Sequence, residues 1–336
     1  MLTIVCEMPG HLVAQDRPKP QRGPDEILVG LRRIGVCGTD LHIFSGTQPY
    51  LSYPRVMGHE LSGVIEEVPA GSAIAVGDPV YLIPYLSCGT CRACRAGKTN
   101  CCRTLQVLGV HRDGGMAEYI SIPQRFVRAA SGLTLDQATM VEFLAIGAHA
   151  ARRGGCREGQ HVLVVGAGPI GMAVAIFAGL RGAAVTMLDS RQDRLRFCEE
   201  HLAVSSTVPL GPDDVERLSA LTDGEFFDIV FDATGSPAAM ERGFRFVGHG
   251  GAYVLVSIVN SPITFSDPEF HKRETTLLGS RNATPEDFET VVAALRAGRV
   301  PTEALNTHRL PLAEAPERFP TLLDPRQGVV KAILHL

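Results

Sequence analysis

The stretch that most restricts this chain is HVLVVGAGPIGMAVAIFAGLRGAAVTMLDSRQDRL, residues 161–195. VLVV is a short, continuous apolar run of the kind that fills a buried strand. Gly166, Gly168 and Gly171 follow as G-x-G-x-x-G, and Pro169 and Ile170 open an apolar helix that reaches Gly182. AVTML reads as a second buried strand, ending at Asp189, 18 positions after Gly171. Strand, glycine turn, helix, strand and acidic residue in that order predict a βαβ unit that takes a dinucleotide. The first glycine permits the tight turn, the second admits a pyrophosphate, and the third lets helix and strand pack closely. Asp189 would accept hydrogen bonds from a ribose and repel a 2′-phosphate, which favours NAD over NADP. Arg191 and Arg194 lie close by and pull the other way, since a 2′-phosphate would pair with them.

The alternation continues through FFDIVFDATG (226–235), GAYVLVSI (251–258) and ETTLLGS (274–280). The strand candidates between 161 and 280 match a doubly wound parallel sheet, a Rossmann fold. Thr284 then caps a helix that has Pro285 at its first position and Gly298 past its end. The tail GVVKAILHL (328–336) reads as a strand lying too far from that alternation to belong to it. It is expected to return to the first part of the chain.

Residues 1–147 have another character. ILVGLRRIGVC, ELSGVIEEV, DPVYLIP and AEYISIP are β-branched or alternating segments punctuated by Gly, Pro and Asp. They predict a partly closed β-barrel or sandwich. Within them, CGTCRACRAGKTNCC places Cys88, Cys91 and Cys94 with two residues between each, and Cys102 eight positions on. Four thiols on one short lobe, about residues 85–103, predict a closed tetrahedral zinc site. Cys101 is the neighbour that could substitute, and the spacing favours Cys102. A second stretch, GVCGTDLHIFSGTQPYLSYPRVMGHE (35–60), holds Cys37 and His59. Thiolate and imidazole both suit Zn²⁺, and a catalytic zinc needs three protein ligands and one open position. A carboxylate could supply the third. Thr39 and His42 offer a hydroxyl followed by an imidazole, able to carry a substrate proton to water. Glu142 interrupts an apolar helix expected from about Leu135, and a carboxylate is costly to bury there without a partner.

The 336 residues, 45% of them hydrophobic, suffice for two domains. A net charge of −4 (32 basic, 36 acidic) gives no reason to expect nucleic acid or an anionic membrane as partner. No apolar run is long enough to span a bilayer. The start, MLTIVCEMPGHL, lacks the charge pattern of a signal peptide. Nine cysteines, four of them candidate ligands in one short lobe, then read as metal binding in a cytoplasmic protein.

Taken jointly, GVCGTDLH, GHE, the CxxCxxC-x7-C lobe, VEFLAIGAHA and VVGAGPIG resemble the zinc-dependent medium-chain dehydrogenases, the superfamily of alcohol, sorbitol and threonine dehydrogenases. The resemblance covers the whole length. It implies an α/β architecture with a GroES-like β-barrel catalytic domain (1–147), a Rossmann NAD-binding domain (148–281) and a C-terminal return (282–336). It also implies an active site in a cleft between domains, two Zn²⁺ per chain, NAD, a small-molecule alcohol as substrate and a homodimer or homotetramer. Cys37 and His59 match the catalytic zinc ligands. Glu142 matches the third ligand position, a cysteine in many alcohol dehydrogenases and a glutamate in polyol dehydrogenases. Glu60 matches a carboxylate that lies beside the zinc or on it, depending on state. Thr39 and His42 match the proton relay. One departure is Phe143, where the polyol branch usually has proline. The implied mechanism is hydride transfer from a secondary alcohol to NAD⁺, with the proton leaving through Thr39.

A narrower resemblance, to sugar-acid dehydrogenases, rests on GTQPYLSYPRVMGHE, GVHRDGG and FSDPEFHKRETTLLGSRNATPEDF. It implies an aldonate such as L-galactonate. A carboxylate is held best by cationic donors, and His111 and Arg281 are the candidates. Polyols and L-threonine are the alternative substrates. A non-catalytic NAD-binding protein, or a zinc-free quinone or enoyl reductase, would lack the ligand sets seen here.

Overall fold

The computed structural model describes residues 1–49 and 51–336. They form two compact units, Met1–Glu142 with Val292–Leu336, and Phe143–Val291.

The first unit is organised on one long strand, Glu26–Val36, whose apolar side chains are almost all buried. It pairs antiparallel with Glu60–Glu67, Tyr119–Pro123 and the tail strand Lys331–His335. The tail strand thus forms part of the N-terminal sheet, and it also pairs in parallel with Asn306–Pro311. Pro79–Leu82 and Val127–Ala129 extend the sheet on the other side. The register sets Gly35 opposite Glu60 and Val36 opposite Ala332. Cys37, Glu60 and Lys331 thus converge at one end of the sheet, although they are remote in sequence. The cysteine lobe hangs from a two-residue ladder, Tyr85–Leu86 against Gln106–Val107.

The second unit is a six-stranded parallel sheet. Its spatial order is Ser206–Pro209, Ala184–Asp189, His161–Val165, Phe227–Asp232, Val247–Leu255, Thr276–Gly279. The order reverses between His161–Val165 and Phe227–Asp232, the switch point beside which such sheets bind ligands. These strands read as continuous apolar runs because both faces of a parallel sheet are covered. Leu163, Leu188, Val230 and Phe246 are buried in its core, each worth about 1.5–3 kcal/mol on removal from water. Helix Pro169–Leu180 starts at the glycine turn with proline at its first position and buries eight of its residues. Helix Pro285–Arg296 begins at Thr284, whose N–H and hydroxyl both donate to Asp287 (2.8 and 2.7 Å).

Helix Leu135–Gly154 runs unbroken through Glu142 and Phe143. A proline at 143 would remove an N–H donor from the interior of this helix; phenylalanine keeps it. Among the described residues no helix is long and apolar enough to cross a membrane.

Candidate metal centres and cofactor site

The sheet register assembles the first centre. Ligand atoms of Cys37, His59 and Glu60 lie within 4.8 Å of one another. Asp40 fixes the backbone that carries two of them. Its Oδ2 accepts the Cys37 N–H (2.9 Å) and its Oδ1 accepts the Gly58 N–H (3.1 Å). Oδ1 also stands 3.8 Å from His59 Nδ1. Glu60 is wholly buried, and both its oxygens accept from Lys331 Nζ at 2.6 and 2.7 Å. Lys331 Nζ donates to the Val36 carbonyl as well (3.2 Å). Gly35 makes room for this pair, because a Cβ there would lie 2.0 Å from Glu60 Oε2. Glu142, on its helix, is buried beside the cluster, and its Oε1 accepts the Tyr85 hydroxyl.

The electrostatics describe a place that wants a cation. Burial acts to lower the His59 pKa, but Asp40 and Cys37 outweigh it and hold the imidazole well above its ordinary value. Burial pushes the Glu142 carboxyl up to about 7, with His59 opposing. Burial raises the Asp40 carboxyl too, against His59 and the Cys37 N–H. For Lys331, burial acts downward, and Glu60 and Cys37 keep it protonated above its usual range. Lys331 neutralises Glu60. The thiol of Cys37 and the carboxyl of Glu142 still surround an imidazole whose Nδ1 is buried without a hydrogen-bond partner. Glu142 Oε2 is likewise buried and unpartnered. Unpaired buried polar atoms are expensive, and a thiol, an imidazole and carboxylates form the donor set of a catalytic zinc. The residues fit the ion. Cys37 itself is half-buried.

Thr39 and His42 lie on the short helix Gly38–Phe44 that follows Cys37. His42 is exposed, with Nδ1 2.8 Å from the Thr47 hydroxyl.

The second centre is local. Cys88, Cys91, Cys94 and Cys102 bring their sulfurs within 4.8 Å of one another. The N–H groups of Cys88 and Cys91 donate to the sulfurs of Cys102 and Cys88, each at 3.3 Å. Four thiols with amide donors suit a closed zinc site. Cys101 is exposed and outside the cluster.

In the second unit Gly166 has φ +102°, and a Cβ on Gly171 would meet the Gly166 carbonyl oxygen at 1.8 Å. Nothing lies within 4 Å of a Cβ built on Gly168, so open space faces the N-terminus of the helix begun by Pro169 and Ile170. Asp189 ties the turn together, accepting the N–H groups of Ala167 (2.6 Å) and Arg191 (2.7 Å). Arg191 pairs with Asp193 at 2.6 Å. Arg194 is buried, and burial followed by Arg191 lowers its pKa. This cradle fits a dinucleotide.

His111 lines a cavity of about 390 Å³ in the first unit, together with Ser52, Arg55, Thr104 and Gln106. Its Nδ1 accepts the Val107 N–H (3.1 Å). Arg55 Nη1 reaches Asp113 at 3.1 Å, and its Nε is buried without a partner. Arg281 belongs to the second unit and is exposed. Sequence reasoning missed Asp40, Arg55, Tyr85 and Lys331. A single lysine inside the apolar GVVKAILHL was the one visible signal.

Residues 23–131 match the family described as alcohol dehydrogenase GroES-like domain, and residues 169–297 match zinc-binding dehydrogenase. The chain belongs to the zinc-binding, medium-chain alcohol dehydrogenase family, and it is an oxidoreductase that uses zinc and a nicotinamide dinucleotide. It is 40% identical to L-galactonate-5-dehydrogenase of Escherichia coli K12, over 99% of this chain and 98% of that one. It is 30% identical to 2-dehydro-3-deoxy-L-galactonate 5-dehydrogenase of Pseudoalteromonas atlantica, over 97% and 94%. Among solved structures, the alcohol dehydrogenase rspB of E. coli CFT073, complexed with NADH, superposes with a TM-score of 0.93 at 30% identity, covering 100% and 99% of the two chains.

Proposed function

We propose that this enzyme oxidises a secondary alcohol of a sugar acid, with L-galactonate as first choice, and passes the hydride to NAD⁺. The observation that carries the chemistry is the buried, unpartnered His59 Nδ1 and Glu142 Oε2 beside the Cys37 thiol. Cys37 and His59, with Glu142 or Glu60 as third ligand, would hold zinc, which as a Lewis acid lowers the pKa of the substrate alcohol. Thr39 takes the departing proton, and His42, exposed at the end of the relay, returns it to water. Asp40 keeps Cys37 and His59 in place by accepting the N–H of Cys37 and the N–H of Gly58, the residue before His59. Cys88, Cys91, Cys94 and Cys102 hold a second, structural zinc.

Residues 148–281 supply the NAD-binding domain. Gly166, Gly168, Pro169, Ile170 and Gly171 receive the pyrophosphate at the helix N-terminus. Asp189 accepts from the adenosine ribose and repels a 2′-phosphate, with Arg194 beneath it. Asp189→Ala should narrow the NAD⁺ over NADP⁺ preference in kcat/KM by about tenfold or more, since a site built to pair a hydroxyl discriminates strongly. Equal kcat/KM with both cofactors in the unaltered enzyme would overturn this assignment.

For the substrate, the 40% identity along the full chain supports an aldonate. The Arg55–His111 cavity supports it physically, offering a guanidinium and an imidazole N–H to a carboxylate. Arg281 is the alternative carboxylate partner. An NADH-absorbance assay over L-galactonate, other aldonates, sorbitol and L-threonine tests the reading. Higher kcat/KM on sorbitol or threonine than on every aldonate would refute it. We further place the enzyme in the cytoplasm, where nine cysteines without a disulfide persist, as a homodimer or homotetramer.

A further inference from the structure

Two carboxylates stand at the Cys37–His59 centre, each held by a different anchor. Lys331 occupies both oxygens of Glu60. Tyr85 occupies only one oxygen of Glu142 and leaves the other buried and unpartnered. We propose that Tyr85 is a positioning residue that presents Glu142 to the catalytic metal, and that through it the cysteine lobe controls how firmly that metal is held. The proposal rests on the zinc reading of the Cys37–His59 centre given above.

The first half follows from the hydrogen bonds. A carboxylate with Oε1 on a phenol hydroxyl cannot rotate freely, so Oε2 keeps one direction. Tyr85 is itself buried, and its ring has only two torsions to fix. Glu60, clamped at both oxygens, is less available. Outer partners of this kind orient metal ligands in general.

The second half follows from where Tyr85 sits. It is the first residue of the two-residue ladder that closes the lobe, paired with Val107, while Leu86 pairs with Gln106. Cys88 lies two residues further on, and its N–H donates to the sulfur of Cys102 across the loop. A two-stranded ladder this short has little stability of its own. The four sulfurs and their ion therefore hold the stem on which Tyr85 is mounted.

The test uses the full-length, zinc-loaded enzyme. Zinc release to a chelator is followed with a metal indicator, and the absorption spectrum is recorded after Co²⁺ replaces the catalytic ion. Tyr85→Phe keeps the ring and removes only the hydroxyl. It should leave the circular dichroism and the lobe zinc unchanged, speed release of the catalytic zinc roughly 10–100-fold, the range for losing an outer partner of a ligand, and shift the Co²⁺ bands. Cys91→Ser should produce the same shift at the catalytic centre. Cys91→His, which retains four zinc donors, should restore the native spectrum. Release within twofold of the unaltered enzyme and an unchanged spectrum in Tyr85→Phe would overturn the positioning role. A native catalytic spectrum in a folded Cys91→Ser protein lacking lobe zinc would overturn the link to the lobe. If the unaltered enzyme binds only one zinc, the catalytic centre itself is wrong, a failure separable from that of Tyr85.

Discussion

The two cysteine centres are built in opposite ways. The lobe draws all four sulfurs from residues 88–102 and supports them with its own backbone N–H groups. Amide donors from Thr90 and Cys91 hold the Cys88 thiol down to about 5, while burial pushes Cys94 up to about 11. The other centre draws Cys37 from the end of one strand, His59 and Glu60 from the start of the next, Glu142 from a helix and Lys331 from the last strand. Its backbone does not satisfy it, since His59 Nδ1 and Glu142 Oε2 stay buried without partners. A closed set of sulfurs holds an ion for the sake of the loop. A set with unpartnered buried atoms suits an ion that also meets a ligand.

The largest expected effect separates these roles. Cys37→Ser should cost activity on the order of 10³-fold, the scale of losing a main stabiliser of transition-state charge, with one zinc lost and the circular dichroism unchanged. Metal analysis finding one zinc or none in the unaltered enzyme would break the comparison at its root. Cys91→Ser should instead lose the lobe zinc and several kcal/mol of stability, lowering Tm by roughly 10 °C in a thermal melt. A Tm unchanged within 2 °C would leave the lobe without its structural role (about 0.5–1 kcal/mol in a domain this size).

Lys331→Met sharpens the point that the open centre is assembled from afar. Removing one partner of a buried pair leaves a buried charge and costs about 3–5 kcal/mol, measurable by urea unfolding. The double variant with Glu60→Gln should recover much of the loss. Equal losses in the single and double variants would mean that the pair's charge is not what matters.

The smallest effect is expected at a buried polar cluster that needs no metal. In the second unit Asp287 accepts from Arg152 (2.7 and 3.0 Å) and from Thr284, and lies 2.8 Å from His149 Nδ1. Burial would raise its carboxyl, but the bonds from His149, Arg152 and Thr284 outweigh it and hold the pKa well below the usual range. With a depressed folded pKa, its contribution is complete above the ordinary carboxylate value near 4 and is lost as pH falls below it. Asp287→Asn should therefore cost about 1–3 kcal/mol at neutral pH, and the gap to the unaltered protein should narrow on acidification. A gap that stays constant down to pH 3 would show that the charge contributes nothing.

Legibility in the sequence followed the range of the interaction. The glycine turn, its helix and Asp189 are consecutive, so Gly166, Gly171 and Asp189 could be read directly, and a Cβ at Gly171 shows why that position tolerates nothing larger. The lobe could be read for the same reason. Ser206–Pro209 is too short, at four residues, to display a period, and its place at the sheet edge comes from pairing with Ala184–Asp189. The motifs and their family resemblance brought Cys37, His59 and Glu142 forward, whereas Asp40, Tyr85 and Lys331 carried no signal of their partners.

What the sequence determined by itself was therefore everything set by neighbours along the chain: the βαβ unit, the Cys₄ lobe and the chemical kinds of candidate ligand, thiol, imidazole and carboxylate. Only the tertiary structure decided which oxygens are occupied. Lys331 meets Glu60 across 271 positions and Tyr85 meets Glu142 across 57. Such pairs depend on sheet register and helix placement. These are properties of the whole packed domain, because shifting one strand by a single residue turns its side chains to the opposite face.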